Sequence, residues 1–259
     1  MPAIQVNGVK LNYEERGRGK PVILAIPGFG GSARTNLTSL APLADSFRVV
    51  ALDIRGHGRS VDVTQDWTIE QIVDDIHQFA KQMGIDRYVA LGGSMGGAIV
   101  LRLAMEHPEV VEKLVLVSSV PACGSTTPKE IIEQALAFAG NREANMMMTR
   151  SLFVRPITKR IEDELDDFAK DAMAVKDEVK KTWMLEEQYF NWESDLKDVR
   201  MPTLVIHGDK DTICNPEAQH RMTTMLPNAK EVIVPETGHV MLIEAPDVVA
   251  REIEIFIRE

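Results

Sequence analysis

The stretch Gly92-Gly93-Ser94-Met95-Gly96 lies between a short apolar run at 88–91 and a helix-like stretch at 98–105. This order predicts a strand, a tight turn and a helix, with Ser94 at the tip of the turn. The neighbouring glycines allow the strand and the helix to approach closely and the serine to take a strained backbone conformation. The turn would then present the Ser94 hydroxyl as a nucleophile, and the alternative is an ordinary Gly-Ser connector.

Ser94 needs partners because a serine hydroxyl is a weak nucleophile at neutral pH. It requires a base that takes its proton and a carboxylate that orients the base. Of the six histidines, His239 lies beside Gly238 in a predicted loop between an apolar run and the C-terminal helix. A loop histidine can reach over a pocket, so His239 is the candidate base, and a simple helix cap is the alternative. The other five are interpreted as surface or loop histidines: His57, His77, His107, His207 and His220.

Two aspartates compete for the role of the carboxylate. The apolar, partly β-branched run at 202–206 predicts a short buried strand, and His207-Gly208-Asp209-Lys210-Asp211 follows it directly. Acids just beyond the carboxyl end of a strand face the edge of the sheet where active sites form. The position after the strand therefore leaves Asp209 and Asp211 as alternatives.

Five motifs, taken together and in this order, resemble the α/β-hydrolase superfamily, specifically its small lidded esterases, lactonases and meta-cleavage-product hydrolases. They are the loop at 26–31, the segment at 53–60, the turn at 92–96, the stretch at 208–211 and Gly238-His239. The resemblance covers nearly the whole chain and implies a catalytic triad of Ser94, Asp211 and His239. By the same resemblance, Asp209 holds its own turn, and the segment that contains His57 is structural.

Acyl transfer also needs hydrogen-bond donors, because negative charge develops on the carbonyl oxygen. The resemblance implies that the donors are the backbone N–H groups of Phe29, in the loop after the first buried strand, and of Met95, directly after the nucleophile. Pro27 departs from the His-Gly that related proteins usually carry at this loop. Proline supplies no N–H and fixes its own φ, so the conformation of this loop is expected to differ in detail from that of related proteins.

Short apolar runs alternate with helical patterns through most of the chain. Asn7-Gly8 suits a tight hairpin turn between the first two runs, and the later runs are separated by helices. This alternation predicts parallel strands with right-handed crossovers. Together with the resemblance it predicts an α/β-hydrolase fold: a mostly parallel eight-stranded sheet with helices on both faces. The expected core comprises residues 1–120 and 197–259.

The alternation stops between residues 121 and 196, where the pattern predicts successive helices and no strand. The third of them, at 157–181, carries an apolar stripe at helical spacing with charged residues opposite. This segment, called the helical insertion below, is the expected lid over Ser94. Its flexible and aromatic side chains either form an apolar substrate surface or only pack the lid. The side chains predicted to contact substrate are Phe138, Met147, Phe153, Trp183 and Met184.

The composition fits one acidic α/β domain with an insertion. A chain of 259 residues, 44% of them hydrophobic, can bury a sizeable core. Its formal net charge of −10 argues against nucleic-acid binding, which needs a clustered basic face.

Cys123 and Cys214 match neither zinc-ligand nor redox spacing and are expected to be free thiols. The first residues lack an export signal, and no apolar run approaches the roughly 18 residues of a membrane span. A cytoplasmic protein without a membrane partner is therefore expected.

The resemblance implies hydrolysis of a carboxylic ester or lactone with an apolar portion, through an acyl-enzyme and without a cofactor or metal. Three alternatives stay open: C–C bond hydrolysis of the meta-cleavage-product type, a cofactor-free perhydrolase or haloperoxidase, and a ligand receptor that turns over slowly. The C–C reaction needs cationic groups for the carboxylate of its substrate. Candidates for these by number alone are Arg102, Arg142, Arg150 and Arg155. The native substrate and the oligomeric state are left undetermined.

Overall fold

The computed structural model describes residues 2–125, 127, 129–137 and 141–259. Its central sheet has eight strands, as expected from the sequence. The strands are β1 Ala3–Val6, β2 Val9–Arg16, β3 Val22–Ile26, β4 Arg48–Leu52, β5 Tyr88–Gly93, β6 Val111–Val117, β7 Thr203–Gly208 and β8 Ala229–Val234. Asn7 and Gly8 form the predicted turn between β1 and β2, with φ angles of 47° and 79°.

The strand order places the nucleophile turn in the middle of one sheet edge. The order is β1-β2-β4-β3-β5-β6-β7-β8, with antiparallel pairing of β1 with β2 and of β2 with β4, and parallel pairing elsewhere. The carboxyl ends of β3, β5, β6, β7 and β8 therefore meet at the same edge. Since β5 lies between β3 and β6, the turn after β5 is flanked by the loops that follow those two strands.

Helices cover both faces of the sheet, which confirms the predicted architecture. On one face α2 and α3 contribute buried residues such as Ile72 and Ile99 to the larger core cluster. On the other face α1 and α10 contribute Leu37 and Ile253 to a second cluster. The helices are α1 Ala33–Ser39, α2 Ile69–Gln82, α3 Met95–Glu106, α4 Lys129–Ala137, α5 Arg142–Arg150, α6 Lys159–Ala174, α7 Asp177–Thr182, α8 Pro216–Met225, α9 Met241–Glu244 and α10 Pro246–Arg258.

Helices α4–α7 lie between β6 and β7, within the helical insertion. The third helix predicted there is in fact two, because α6 ends at Ala174 and α7 begins at Asp177. Val175 adopts φ −56° and ψ 129° and is buried, and α7 then packs Val179 against Gly56 of the core. Packing of these valines on the core thus overrides a continuous helical pattern. In the described ranges, no helix is both long and apolar enough to cross a membrane.

Candidate active site

Ser94 lies at a strained turn between β5 and α3. Its backbone has φ 51° and ψ −119°, a region that residues with a side chain rarely adopt. The turn is tight because a Cβ on Gly92 would lie 2.1 Å from the carbonyl oxygen of Gly96, and a Cβ on Gly96 would lie 2.4 Å from that of Ile26. The two glycines therefore have a steric role, and the turn holds the serine above the sheet edge as the sequence predicts.

The structure brings Ser94, His239 and Asp211 together from three different loops. The Nε2 atom of His239 is 2.9 Å from the Oγ atom of Ser94, and its Nδ1 atom is 3.0 Å from Oδ2 of Asp211. An ionised carboxylate only accepts hydrogen bonds, so Nδ1 carries the proton and donates to Asp211. Nε2 is then left as the acceptor for the Ser94 hydroxyl, which is the tautomer that a general base requires.

Asp211, and not Asp209, is the partner of the histidine. The Asp211 side chain is buried, and its Oδ1 accepts hydrogen bonds from the backbone N–H groups of Ile213 and Cys214, both at 2.9 Å. Burial alone would raise the pKa of Asp211. The hydrogen bonds from His239 and the two amides, together with the charge of His239, outweigh burial, so the pKa of Asp211 lies below its ordinary value. Asp209 instead pairs with Lys210 and accepts a long hydrogen bond from the Thr237 amide.

The loop after β3 lies directly against the nucleophile. A Cβ on Gly28 would come within 3.3 Å of the Ser94 Cβ, so the following residue, Phe29, also lies beside the turn. Among the described residues, neither the Phe29 nor the Met95 amide has a protein acceptor. The Met95 amide lies at the N-terminus of the 12-residue helix α3, where the helix dipole favours negative charge. Both amides are thus free to bind an oxyanion.

A cavity of about 470 Å³ lies over Ser94 and His239, and α4–α7 of the helical insertion contribute much of its lining. Of the residues predicted to contact substrate, Trp183 and Met184 line this cavity. Met147 does not line it and is 77% exposed, whereas Met148, about 100° further around α5, does. Phe153 packs instead against a small cluster of Ile161, Leu165 and Ile243. Phe138 lies outside the described residues.

The remaining histidines, all among the described residues, make no hydrogen bond with Ser94 or Asp211. His57 is buried, bonds the Arg55 carbonyl through Nδ1 and packs edge-on against Phe29. Burial lowers its pKa to about 4, against the hydrogen bond to Arg55, so the ring is neutral near pH 7. His77 stacks on His107, while His207 and His220 both contact Glu231. The interpretation as surface or loop histidines fits His57, which lies in a loop, and His220, which is exposed, but it is wrong for His207, which is buried within β7.

Two polar residues near the site have no local signal in the sequence. Glu244, a buried carboxylate in α9, accepts hydrogen bonds from the amides of Gly238 (2.7 Å), Val154 (2.7 Å) and Arg155 (2.6 Å). It therefore fastens the His239 loop to the helical insertion. Lys180 lines the cavity with a side chain that is only 8% exposed. A carboxylate next to the His239 loop and a lysine buried within the helical insertion are visible only after the chain is folded.

Two groups of side chains in the described part of the chain have metal-ligating atoms within 4.8 Å of one another. One is His77, His107 and Glu109 on the surface. The other is Asp211, Cys214 and His239, inside the candidate site. Imidazole, thiolate and carboxylate are the ligands that zinc uses in proteins, so both groups have suitable chemistry.

The fold and the site define the class of the protein. A strained serine after one parallel strand, with an acid and a histidine from later loops at the same edge, is the arrangement of an α/β-hydrolase. The enol-lactonase from Burkholderia xenovorans LB400 has the same fold, with a TM-score of 0.88, 23% identity and full coverage of both chains. The family model described as serine aminopeptidase, S33, matches residues 17–246, and the chain belongs to this family.

Relatives in sequence carry different activities in their names. The chain is 28% identical to a 2-hydroxy-6-oxo-6-(2'-aminophenyl)hexa-2,4-dienoic acid hydrolase of Metapseudomonas resinovorans, over 94% of this chain and 86% of the relative. It is also 28% identical to Lipase 1 of Psychrobacter immobilis, over 96% of this chain and 81% of the relative. Family membership therefore shows that the protein is a hydrolase, but it does not show which type of bond the protein cleaves.

Proposed function

We propose that this protein is a serine hydrolase that cleaves a carboxylic ester or a lactone. The observation that carries the proposal is the unbroken hydrogen-bonded chain from Asp211 through His239 to Ser94, with distances of 3.0 and 2.9 Å. A serine held at the tip of a strained turn has no structural need for such partners. The same chain of groups is what makes a serine hydroxyl reactive at neutral pH.

In the proposed reaction, His239 takes the hydroxyl proton as Ser94 attacks the substrate carbonyl. The tetrahedral oxyanion is held by the amides of Phe29 and Met95, and His239 then gives its proton to the leaving alcohol oxygen as the C–O bond breaks. Water, deprotonated by His239, attacks the acyl-enzyme and releases the acid and the free serine. Asp211 stays ionised and keeps the imidazole oriented throughout.

The helical insertion, residues 121–196, is proposed to be the lid, and residues 1–120 and 197–259 the catalytic core. The support is that α4–α7 contribute much of the lining of the cavity over Ser94. Trp183 and Met184 give that lining an apolar and adaptable surface, so we propose a small-molecule substrate with an apolar portion. A cytoplasmic location stays a prediction.

A second candidate is C–C bond hydrolysis of an anionic dienoic acid, the type of substrate in the name of one relative. The observation that favours it is Lys180, a largely buried cationic residue that lines the cavity and has Asp177, at 3.4 Å, as an ion-pair partner. The four arginines considered from the sequence do not line the cavity: Arg102, Arg142, Arg150 and Arg155. The perhydrolase and receptor alternatives stay predictions without a supporting contact.

The test is a panel of p-nitrophenyl esters of graded chain length, several lactones and a vinylogous dienoic acid, assayed with wild type and with Ser94→Ala. Turnover of esters or lactones that falls about 10⁴-fold or more in Ser94→Ala supports the proposal. Ser118→Ala is the matched control, because Ser118 is also a serine at positive φ directly after a parallel strand, and it should keep turnover. An active Ser94→Ala protein contradicts the proposal, and turnover of the dienoic acid alone favours the second candidate.

A further inference from the structure

A thiol lies beside the hydrogen bond between Asp211 and His239. The Sγ atom of Cys214, a carboxylate oxygen of Asp211 and a ring nitrogen of His239 all lie within 4.8 Å of one another. Cys214 is buried, and its thiol has no hydrogen-bond partner in the described ranges. The proposed reaction needs no thiol at this position, so the reason for the cluster lies outside that chemistry.

The nitrogen and oxygen atoms of this group already lie at nearly the separation of two ligands of a tetrahedral zinc ion. Ligand atoms about 2.0–2.1 Å from zinc are about 3.4 Å apart, and Nδ1 of His239 is already 3.0 Å from Oδ2 of Asp211. The Cys214 sulfur, within 4.8 Å of both atoms, would complete three ligands by side-chain rotation in the proposed site. Cys214 and His239 are both among the residues that line the cavity.

From this geometry we infer that Asp211, Cys214 and His239 form a site for a zinc-like divalent cation, and that a cation bound there stops catalysis. The inference rests on the proposed function for its inhibitory consequence, but the binding itself does not. Cations that prefer thiolate and imidazole, such as Zn²⁺ and Cd²⁺, fit the ligands, whereas Mg²⁺ prefers oxygen and water.

Inhibition follows from the proton that the cation moves. When the cation takes the lone pair of Nδ1, the one proton of the neutral imidazole resides on Nε2. The Cys214 thiol gives its proton to solvent as the metal–sulfur bond forms. Nε2–H then donates to Ser94 and has no lone pair with which to accept the hydroxyl proton, so the serine is no longer activated.

The first experiment measures p-nitrophenyl ester hydrolysis with Zn²⁺, Cd²⁺ or Mg²⁺ and after addition of EDTA. We expect Zn²⁺ and Cd²⁺ to lower the rate about tenfold or more, EDTA to restore it, and Mg²⁺ to have no effect. In Cys214→Ala and Cys214→Ser, each compared with its own rate in EDTA, the zinc concentration for half inhibition should rise about tenfold or more. Cys123→Ala, which removes the other thiol of the chain, should respond like wild type.

The second experiment does not depend on activity. In the Cys123→Ala background Cys214 is the single thiol, so titration with Cd²⁺ should give a thiolate-to-cadmium absorption band that Cys214→Ala removes. Ester turnover that zinc leaves unchanged, equal inhibition in wild type and Cys214→Ala, loss of inhibition in His77→Ala, or absence of the band overturns the inference. If wild type hydrolyses no ester, the proposed function fails, and the absorption band still decides whether the metal site exists.

Discussion

The sheet edge around Ser94 and the helical insertion differ in how most of their charged side chains are exposed and bonded. At the edge, Asp211 and Glu244 are buried, and each accepts several hydrogen bonds from backbone amides. In the insertion, pairs such as Arg142 with Asp166 and Lys159 with Asp163 lie on the exposed surface. Buried, multiply bonded charges give a preorganised field, whereas exposed pairs contribute little energy. In the proposed function the chemistry thus belongs to the sheet edge, and the helical insertion contributes much of the pocket lining.

The largest expected effect comes from replacing the buried acid Asp211 at the sheet edge. Asp211→Asn should lower kcat about 10⁴-fold because an amide does not hold His239 in the reactive tautomer. Asp209→Asn is the matched control two residues away, and its effect should be small because Asp209 contacts Lys210 and the Thr237 amide. Steady-state kinetics on an aryl ester measure both. Equal losses in the two variants would mean that the acid is misassigned.

A buried ion pair of the core should contribute more to the free energy of unfolding than an exposed ion pair of the insertion. Arg55 is 2% exposed and pairs with Asp75, which is 1% exposed, so Arg55→Met should lower the free energy of unfolding by about 3–5 kcal/mol. Arg142→Met, at a side chain that is 54% exposed, should change it by less than about 1 kcal/mol. Urea denaturation followed by circular dichroism gives both values. Similar losses in the two variants would show that the insertion is as rigidly packed as the core.

The buried His57 should make the stability of the core depend on pH. Its pKa is about 4 in the folded protein against an ordinary 6.5, so between these values the unfolded chain binds one more proton. The free energy of unfolding should therefore fall as the pH drops from 6.5 to 4, by about 3 kcal/mol in total from this group. His57→Gln should flatten that part of the pH profile, and His220→Gln, at an exposed histidine, should not. Chemical denaturation at several pH values is the measurement, and an unchanged slope in His57→Gln would contradict the burial argument.

The smallest effect concerns Glu244, where the two regions meet. Glu244→Gln keeps the shape of the side chain but replaces one accepting oxygen with an NH₂ group. This NH₂ group and a backbone N–H group would face each other as two donors, so the free energy of unfolding should fall by about 2 kcal/mol. Because the lost contact includes Gly238, next to His239, kcat should fall about tenfold with little change in KM. Glu252→Gln, whose ion-pair partner is its neighbour Arg251, is the control. A change in KM alone would place Glu244 in substrate binding rather than in positioning the loop.

The two regions also differ in how well their residues could be predicted from sequence. Ser94 and His239 each follow a recognisable local pattern, whereas the pattern after β7 left Asp209 and Asp211 as alternatives and the choice of Asp211 needed the family resemblance. The backbone amides of Phe29 and Met95 could be predicted as oxyanion donors only from the family resemblance, because every residue except proline has a backbone N–H group. These predictions depend on strand order, which the alternation of elements determines.

The insertion could not be predicted at the same level. Met147 and Met148 have the same chemistry, and only the rotation of α5 decides which of them faces the cavity. Lys180 reaches the cavity from α7, which exists as a separate helix because Val175 breaks the longer helical pattern. Helix phase and helix breaks are set by packing on the core, so they follow from tertiary structure and not from the local sequence.

The most direct test of the account is active-site labelling with a fluorophosphonate, followed by peptide mass spectrometry. The reagent reacts with serines that a neighbouring base activates, and the product resembles the tetrahedral intermediate of acyl transfer. The account predicts one stoichiometric adduct on Ser94 that His239→Ala abolishes. An adduct on another residue, or one on Ser94 that persists in His239→Ala, would contradict the claim that the hydrogen-bonded chain from Asp211 through His239 activates this serine.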